Sequence, residues 1–290
     1  MTGLETVWLE VPEAALDAYE AALGSVCRTV GFFFADEAAR TWRVEGVKQA
    51  GAGEPELAGA LALAALVTGA AAALHRAPTE AGGWLARTRS SFPEQSVGRR
   101  FVVRGTHLAE RPAAGRIVLL LDAGVAFGSG EHGSTRGCLR ALERVAHRRP
   151  RRILDLGCGS GILAMAAARL LRRPVVATDI DPWSVRVAGE NARLNGLSRR
   201  VRCAQATGWQ GLARAGAPYD LVFANILARP LCRMAASLAA HLAPGGTAIL
   251  AGLLHQQARM VLAAHRRAGL RLEAALREGG WTTLVLRRGA

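Results

Sequence analysis

The residues whose types and spacing could do chemistry lie in the second half of the 290-residue chain. In RRILDLGCGSGILAMAAARL, an apolar strand pattern ends at Asp155 and Leu156, and Gly157, Gly159 and Gly161 then lead into an apolar helix pattern. Glycines there allow a tight turn and let a ligand press against backbone amides at a helix N-terminus. The following strand pattern, VVATDIDP, ends on Asp179, whose carboxylate can accept hydrogen bonds from both hydroxyls of a ribose. Together these features predict a nucleoside site, where a plain strand-to-helix connection would need no such carboxylate. The spacing G-x-G-x-G led by Asp155 differs from the G-x-G-x-x-G that admits a pyrophosphate, which argues against a nicotinamide dinucleotide. A third candidate is Asn225 in FANILARP, at the end of another strand pattern, where open α/β sheets place their ligands. Its side-chain carbonyl can accept a hydrogen bond from an amine and aim the lone pair; the plainer alternative is an asparagine ending a strand in a turn.

The run from Asp155 to Gly161 resembles motif I of class I methyltransferases, whose glycines approach the methionine part of S-adenosylmethionine. Upstream, LLLDAGVAFGSGEHGSTRGCLRALE resembles a segment of the large-subunit ribosomal protein L-eleven methyltransferase family, of the form D-x-G-x-A-F-G-T-G-x-H-x-T-T. Downstream, FANILARP resembles that family's A-N-I-L motif, and LAPGGTAILAGLLHQQARMVLAAHRRAGLRLEAALREGGWTTLVLRR resembles its C-terminal third. The resemblance covers residues 84–288, and the N-terminal part matches only in size and mixed pattern. It implies cofactor contacts at Thr135, Gly157, Gly159, Gly161, Asp179 and Asn225, with Asn225 also the residue that orients the amine. Ser129 and the pair Gly133-Ser134 depart from the family pattern, with a hydroxyl retained at Ser134. His132 in the glycine-dense stretch is more often a structural hydrogen bonder than a proton acceptor. The implied activity is transfer of methyl groups from S-adenosylmethionine to lysine or N-terminal amines of a large-subunit ribosomal protein. The rival readings are an RNA methyltransferase of the same fold, a non-catalytic S-adenosylmethionine-binding module and, less well, a nicotinamide oxidoreductase.

The elements that must position these residues alternate. Strand patterns at 117–121, 152–156, 175–178, 201–204, 221–224 and 247–250 are interleaved with helix patterns at 135–146, 162–171, 182–195, 228–242 and 256–268. A closing strand pair at 270–277 and 281–287 flanks Glu278-Gly279-Gly280 as a hairpin. Alternation of this kind predicts an α/β fold with a mostly parallel sheet covered on both faces. The family resemblance makes it the doubly wound, seven-stranded methyltransferase sheet. Ahead of it, residues 1–76 predict a smaller α+β domain, with strands at 5–11, 26–34 and 42–47 and helices at 12–23 and 57–74, and the resemblance gives this domain substrate recognition. Residues 77–115, broken by prolines and glycines, read as a connector and entrance to the catalytic domain at 116–290.

Composition supplies exclusions. Half the residues are hydrophobic and about a fifth are charged, which suits two globular domains rather than disorder. The five cysteines show no spacing typical of zinc or redox pairs, so no metal is expected. The uncharged stretch 57–74 is read as a buried helix, with Leu63, Leu66, Val67, Ala70 and Leu74 on its core face, rather than a membrane span. With no secretory pattern at the N-terminus, a cytoplasmic protein is expected. The net charge of +14 comes almost wholly from arginine, in clusters beside strand starts, with no interleaved aromatics. Solvated surface is the expected role of these clusters, with at most a weak contact to rRNA.

Overall fold

The structure is a computed structural model that describes residues 3–27, 29–36, 41–78, 94–106, 108, 115–121 and 133–289. Its contacts divide the chain into two compact units, Met1–Trp84 and Leu85–Ala290.

In the first unit, β1 (Leu4–Pro12), β2 (Thr29–Asp36), β3 (Thr41–Gln49) and β4 (His75–Pro78) form one sheet in the order β2-β3-β1-β4. Two helices, α1 (Leu16–Gly24) and α2 (Glu54–Thr68), complete a split β-α-β pattern. Strand alternation buries Val7, Leu9 and Val11 of β1 with Trp42 and Val44 of β3. Lys48 is buried on β3 and bonds Glu5 at 2.7 Å and Glu54 at 2.6 Å, so the lone lysine of the chain ties β1, β3 and the start of α2.

The alanine-rich helix departs from expectation. It ends at Thr68, where Gly69 adopts φ 69°, and it buries Leu57 and Ala64. Leu63, Leu66 and Val67 are 61%, 82% and 72% exposed, so the face expected to be buried faces outward. A segment built almost entirely of alanine, leucine and glycine is apolar all round, and its periodicity carries no preference for one face. None of the described helices is long and apolar enough to cross a membrane.

The second unit carries the expected doubly wound sheet. Its strands are β8 (Ile153–Leu156), β9 (Val175–Asp179), β10 (Val201–Gln205), β11 (Tyr219–Asn225), β12 (Leu242–Leu254), β13 (Leu270–Glu278) and β14 (Trp281–Arg288). They run β10-β9-β8-β11-β12-β14-β13; the first five are parallel and β14 is antiparallel to both its neighbours. A two-residue turn at Gly279-Gly280, with φ 52° at Gly279, closes the final hairpin. Strands β5 (Gln95–Val97), β6 (Phe101–Gly105) and β7 (Ile117–Leu121) form a separate sheet, so 117–121 pairs within residues 94–121 and not with the main sheet. Residues 77–115 thereby contribute strands to both units.

The helices of this unit are α3 (Gly133–Val145), α4 (Ile162–Leu171), α5 (Pro182–Leu194), α6 (Gly211–Ala215), α7 (Ala228–Arg233), α8 (Ala235–His241) and α9 (Ala258–Arg267). The helix expected over 228–242 is broken at Met234, and α6 has no counterpart among the expected helices. At five residues, α6 is too short to express a period.

Alternation along the strands sorts side chains between two cores. Ile153, Leu221 and Phe223 join Leu139, Leu142 and Met165 on one face of the sheet. Leu154, Leu156, Val222 and Ala224 join Leu231, Leu238 and Val261 on the other. By the same parity Asp155, Asp179 and Asn225 belong to the first face, on the side of α3, α4 and α5.

Candidate active site

Strands β8 and β11 are parallel neighbours, with Phe223 opposite Asp155 and Ala224 opposite Leu156. Chain order reverses at this pair: the connections after β8 lead toward β9 and β10, and those after β11 lead toward β12. The two carboxyl-end loops therefore diverge and leave a crevice between them. The Gly157, Gly159, Gly161 turn opens from β8 into this crevice, and Asn225 stands at its other lip, at the last position of β11.

The glycine turn is fixed from below by β9. Gly157 N and Cys158 N both donate to the Thr178 carbonyl, at 2.8 and 3.0 Å. All three glycines sit at left-handed φ, 72° for Gly157, 50° for Gly159 and 78° for Gly161. Gly157 has a second reason to be glycine, because a Cβ there would lie 2.4 Å from Ile226 Cγ2, and this contact joins the β8 turn to the β11 loop. Cys158 between the glycines is buried, and burial pushes its thiol pKa up, so it is an inert packing group.

Asp179 ends β9 half-buried. Its Oδ2 accepts from Gly159 N at 2.9 Å and its Oδ1 from Asp181 N at 3.0 Å. Each oxygen keeps lone-pair capacity, so the carboxylate is held by backbone amides and can still accept from two vicinal hydroxyls. Asp155 is completely buried, with Oδ2 accepting from Ala164 N at 2.9 Å and Oδ1 without a hydrogen-bond partner among the described residues. Burial pushes its pKa up to about 7, opposed by the Ala164 amide and assisted by the charge of Asp179.

Asn225 is half-buried, and its Nδ2 donates to Thr135 Oγ1 at 3.4 Å, across 90 residues of sequence. Its Oδ1 is buried without a hydrogen-bond partner among the described residues. An orphaned amide oxygen costs free energy on the order of 1–3 kcal/mol, so a ligand donor is its natural complement. Thr135 is buried in the first turn of α3, beside Ser134. The departure at Gly133 has a structural cause: a Cβ there would lie 2.4 Å from the Glu278 carbonyl, so the helix start packs against the final hairpin too closely for a side chain.

Six sequence-predicted residues thus fall around one crevice: Gly157, Gly159, Gly161, Asp179, Asn225 and Thr135. His132, Ser129 and the glycines at 124, 128 and 130 lie outside the described residues. Sequence reasoning passed over Ile180, which follows Asp179 and is exposed. Its signal was an apolar residue between two aspartates at a strand end, in TDIDP, where a turn would ordinarily be polar. Among the described residues no group of histidine, cysteine and acidic side chains could hold a metal ion, and all five cysteines are free.

A seven-stranded sheet with this order, a glycine turn after β8 and a carboxylate ending β9 define an S-adenosylmethionine-dependent methyltransferase of the doubly wound class. The comparisons narrow the class. Residues 58–289 match the family described as "Ribosomal protein L11 methyltransferase (PrmA)", and the chain belongs to that family. A ribosomal protein L11 methyltransferase of Bradyrhizobium diazoefficiens is 49% identical over 212 residues, covering 72% of this chain and 71% of the relative. One from Rhodopseudomonas palustris is 45% identical over 236 residues, 80% of each chain. The crystal structure of a ribosomal protein L11 methylase from Lactobacillus delbrueckii subsp. bulgaricus superposes with a TM-score of 0.61 at 31% identity, covering 68% of this chain and 99% of that one. The chain is therefore a protein methyltransferase that uses S-adenosylmethionine.

Proposed function

We propose that this enzyme methylates amino groups of ribosomal protein L11, lysine side chains or the N-terminal amine, in the cytoplasm, and that Asn225 orients the acceptor nitrogen. The family match supports protein over RNA as the acceptor and weighs against a silent binding module. The observation that carries the role of Asn225 is its buried Oδ1, without a hydrogen-bond partner among the described residues, at the carboxyl end of β11.

The residues present fit the cofactor. Asp179 would accept from the ribose hydroxyls, the Gly157, Gly159 and Gly161 turn would admit the methionine part against backbone, and the exposed Ile180 would offer an apolar face to the base. Thr135, hydrogen-bonded to Asn225, would complete the methionine end. When bound, S-adenosylmethionine supplies an activated methyl group on a sulfonium.

The acceptor amine must arrive neutral, against a free lysine pKa near about 10.4. Accepting Nδ2–H at Thr135 Oγ1 fixes which way the Asn225 amide faces, so that Oδ1 is turned to the incoming amine. That oxygen accepts one N–H, and the lone pair is left to point along the transfer axis. The amine's proton passes to water or to a nearby base before transfer. The first unit docks the protein substrate.

Asn225→Ala tests the role. Removing one preorganised acceptor lowers kcat about 100-fold, and affinity for S-adenosylmethionine falls by a smaller factor. Steady-state methylation of purified ribosomal protein L11 and calorimetry with S-adenosylmethionine read the two quantities, and an unchanged kcat removes the assignment.

A further inference from the structure

The arginines of the second unit are not spread over it evenly. On the carboxyl side of the seven-stranded sheet, the described connections at 157–161, 180–181, 206–210, 226–227, 255–257 and 279–280 contain no arginine. On the amino side, the turn into β8 carries Arg148, Arg149, Arg151 and Arg152; the turn into β9 carries Arg172 and Arg173; the turn into β10 carries Arg199 and Arg200. Arginine also stands just inside the elements on the carboxyl side, at Arg229, Arg259 and Arg277, so the contrast is one of density: eight arginines gather in three adjoining amino-side turns, while the turns into β11 and β13 hold none.

Register puts these turns in line. Val201, Val175, Ile153, Leu221, Thr247, Arg287 and Arg271 are successive partners across the sheet, and the arginine turns into β8, β9 and β10 lie just beyond that row. With neighbouring strands about 4.8 Å apart, the three arginine turns span on the order of 10 Å across β10, β9 and β8, and Arg287 and Arg271 lie further along the same row. Within it a cavity of about 260 Å3 is lined by Arg148, Arg149, Arg151 and Arg287, with Asp220 and Thr247.

The acidic groups at this edge are already engaged. Asp220 Oδ2 accepts from Arg151 N and Arg152 N at 2.8 and 2.9 Å, and Glu273 pairs with Arg148 at 2.8 Å and Arg287 at 3.8 Å. Among the described residues, the side chains of Arg149, Arg151, Arg152, Arg199 and Arg200 form no ion pair, and all five residues are exposed. Cations favoured by helix C-termini would account for a residue in each last turn, since that attraction fades within a turn. Arg151, Arg152, Arg199 and Arg200 lie beyond it. Moreover, the non-glycine residues with positive φ among the described residues are Arg149 and Arg172, at 52° and 55°. Glycine would take those helix-end positions with less strain, so arginine there points to a use for the side chain.

We infer that the amino-terminal edge of the catalytic sheet, opposite the methyl-transfer crevice, is a docking surface for the phosphodiester backbone of structured RNA. Eight guanidiniums in three adjoining turns match successive phosphates of a polymer better than a single small anion, and guanidinium matches phosphate geometry. Lack of aromatic residues in these turns makes the contact one with backbone and not with bases. Placement on the far edge leaves the crevice open, so RNA and the protein acceptor are held at once. The inference does not depend on which amine is methylated.

The test uses the full chain, a fluorescein-labelled RNA duplex of about twenty base pairs, and anisotropy titrations between about 50 and 300 mM KCl. The parent protein binds, with affinity falling steeply as salt rises. The variant Arg151→Gln/Arg152→Gln/Arg200→Gln binds at least about tenfold more weakly at about 100 mM KCl, and its log–log salt slope is shallower by about 0.9 for each phosphate no longer neutralised. A control that removes equal charge elsewhere, Arg233→Gln/Arg259→Gln/Arg277→Gln, stays within about twofold of the parent. Methylation of free ribosomal protein L11 is unchanged in the first variant, which also reports that it is folded; should it not fold, Arg199→Glu/Arg200→Glu in the exposed turn is read in the same way. Equal weakening in variant and control, no binding by the parent at the lowest salt, or displacement of the RNA by a few millimolar inorganic phosphate would each overturn the inference.

Discussion

Gly157 concentrates two demands on one residue, a left-handed backbone and no room for a Cβ beside Ile226. Gly157→Ala is expected to cost more than the roughly 1 kcal/mol of a strained alanine alone, because the methyl group also displaces Ile226 and with it the β11 loop. Pairing it with Ile226→Ala recovers the steric part and leaves the backbone part, and urea unfolding of the three variants separates them; identical destabilisation of the single and double variants would show that Ile226 does not matter. Asp155 makes a prediction about pH. Its folded pKa, raised by burial to about 7 from an ordinary 3.8, means that the folded state keeps a proton the unfolded chain has lost. Stability from this group therefore falls as pH rises from about 4 to about 7, by at most roughly 1.4 kcal/mol per unit, and is level above that. Asp155→Asn removes that slope. Unfolding free energies of parent and variant at pH 5, 6, 7 and 8 check it, and parallel profiles would show that Asp155 ionises freely in the fold.

Asn195 shows how an element is held by a single side chain. Just past the end of α5 and buried, it accepts from Leu120 N at 2.9 Å and donates to Leu120 O at 2.7 Å and to Asn191 O at 2.8 Å. Its amide thus does for β7 what a partner strand would do, and pins the smaller sheet to the helical layer. Asn195→Ala strands both backbone groups of Leu120 and is expected to cost about 2–4 kcal/mol, read as a lower urea midpoint. A decrease below about 0.5 kcal/mol would mean that water replaces the amide. Sequence pattern places Asn195 only as the end of a helix, because a helix period says where α5 stops and nothing of what its cap reaches. The same limit explains α2: the helix over Glu54–Thr68 was legible, but which face it buries was not. By contrast α4 was legible to its bounds, since an apolar run between a glycine turn and Arg172-Arg173 leaves one solution.

Across the whole molecule, binding to the folded form alone raises its stability by mass action. At a concentration about 100 times its Kd, S-adenosylmethionine is expected to add about 2.7 kcal/mol, seen as an upward shift in Tm, while a nicotinamide dinucleotide at the same concentration leaves Tm unchanged. A larger shift with the dinucleotide would overturn the reading of the glycine spacing. Order along the chain determined much of this protein: the alternation of patterns from 152 onward dictated a parallel sheet, and Gly157, Asp179 and Asn225 each fell at a strand's end because local residue types must suit a turn wherever the chain stops being a strand. What the chain order could not contain was adjacency. That Thr135 meets Asn225, that Gly157 abuts Ile226, and that arginine turns far apart in sequence share one edge follow from strand order and register, which are set by packing two cores against a single sheet and leave no mark on any one segment.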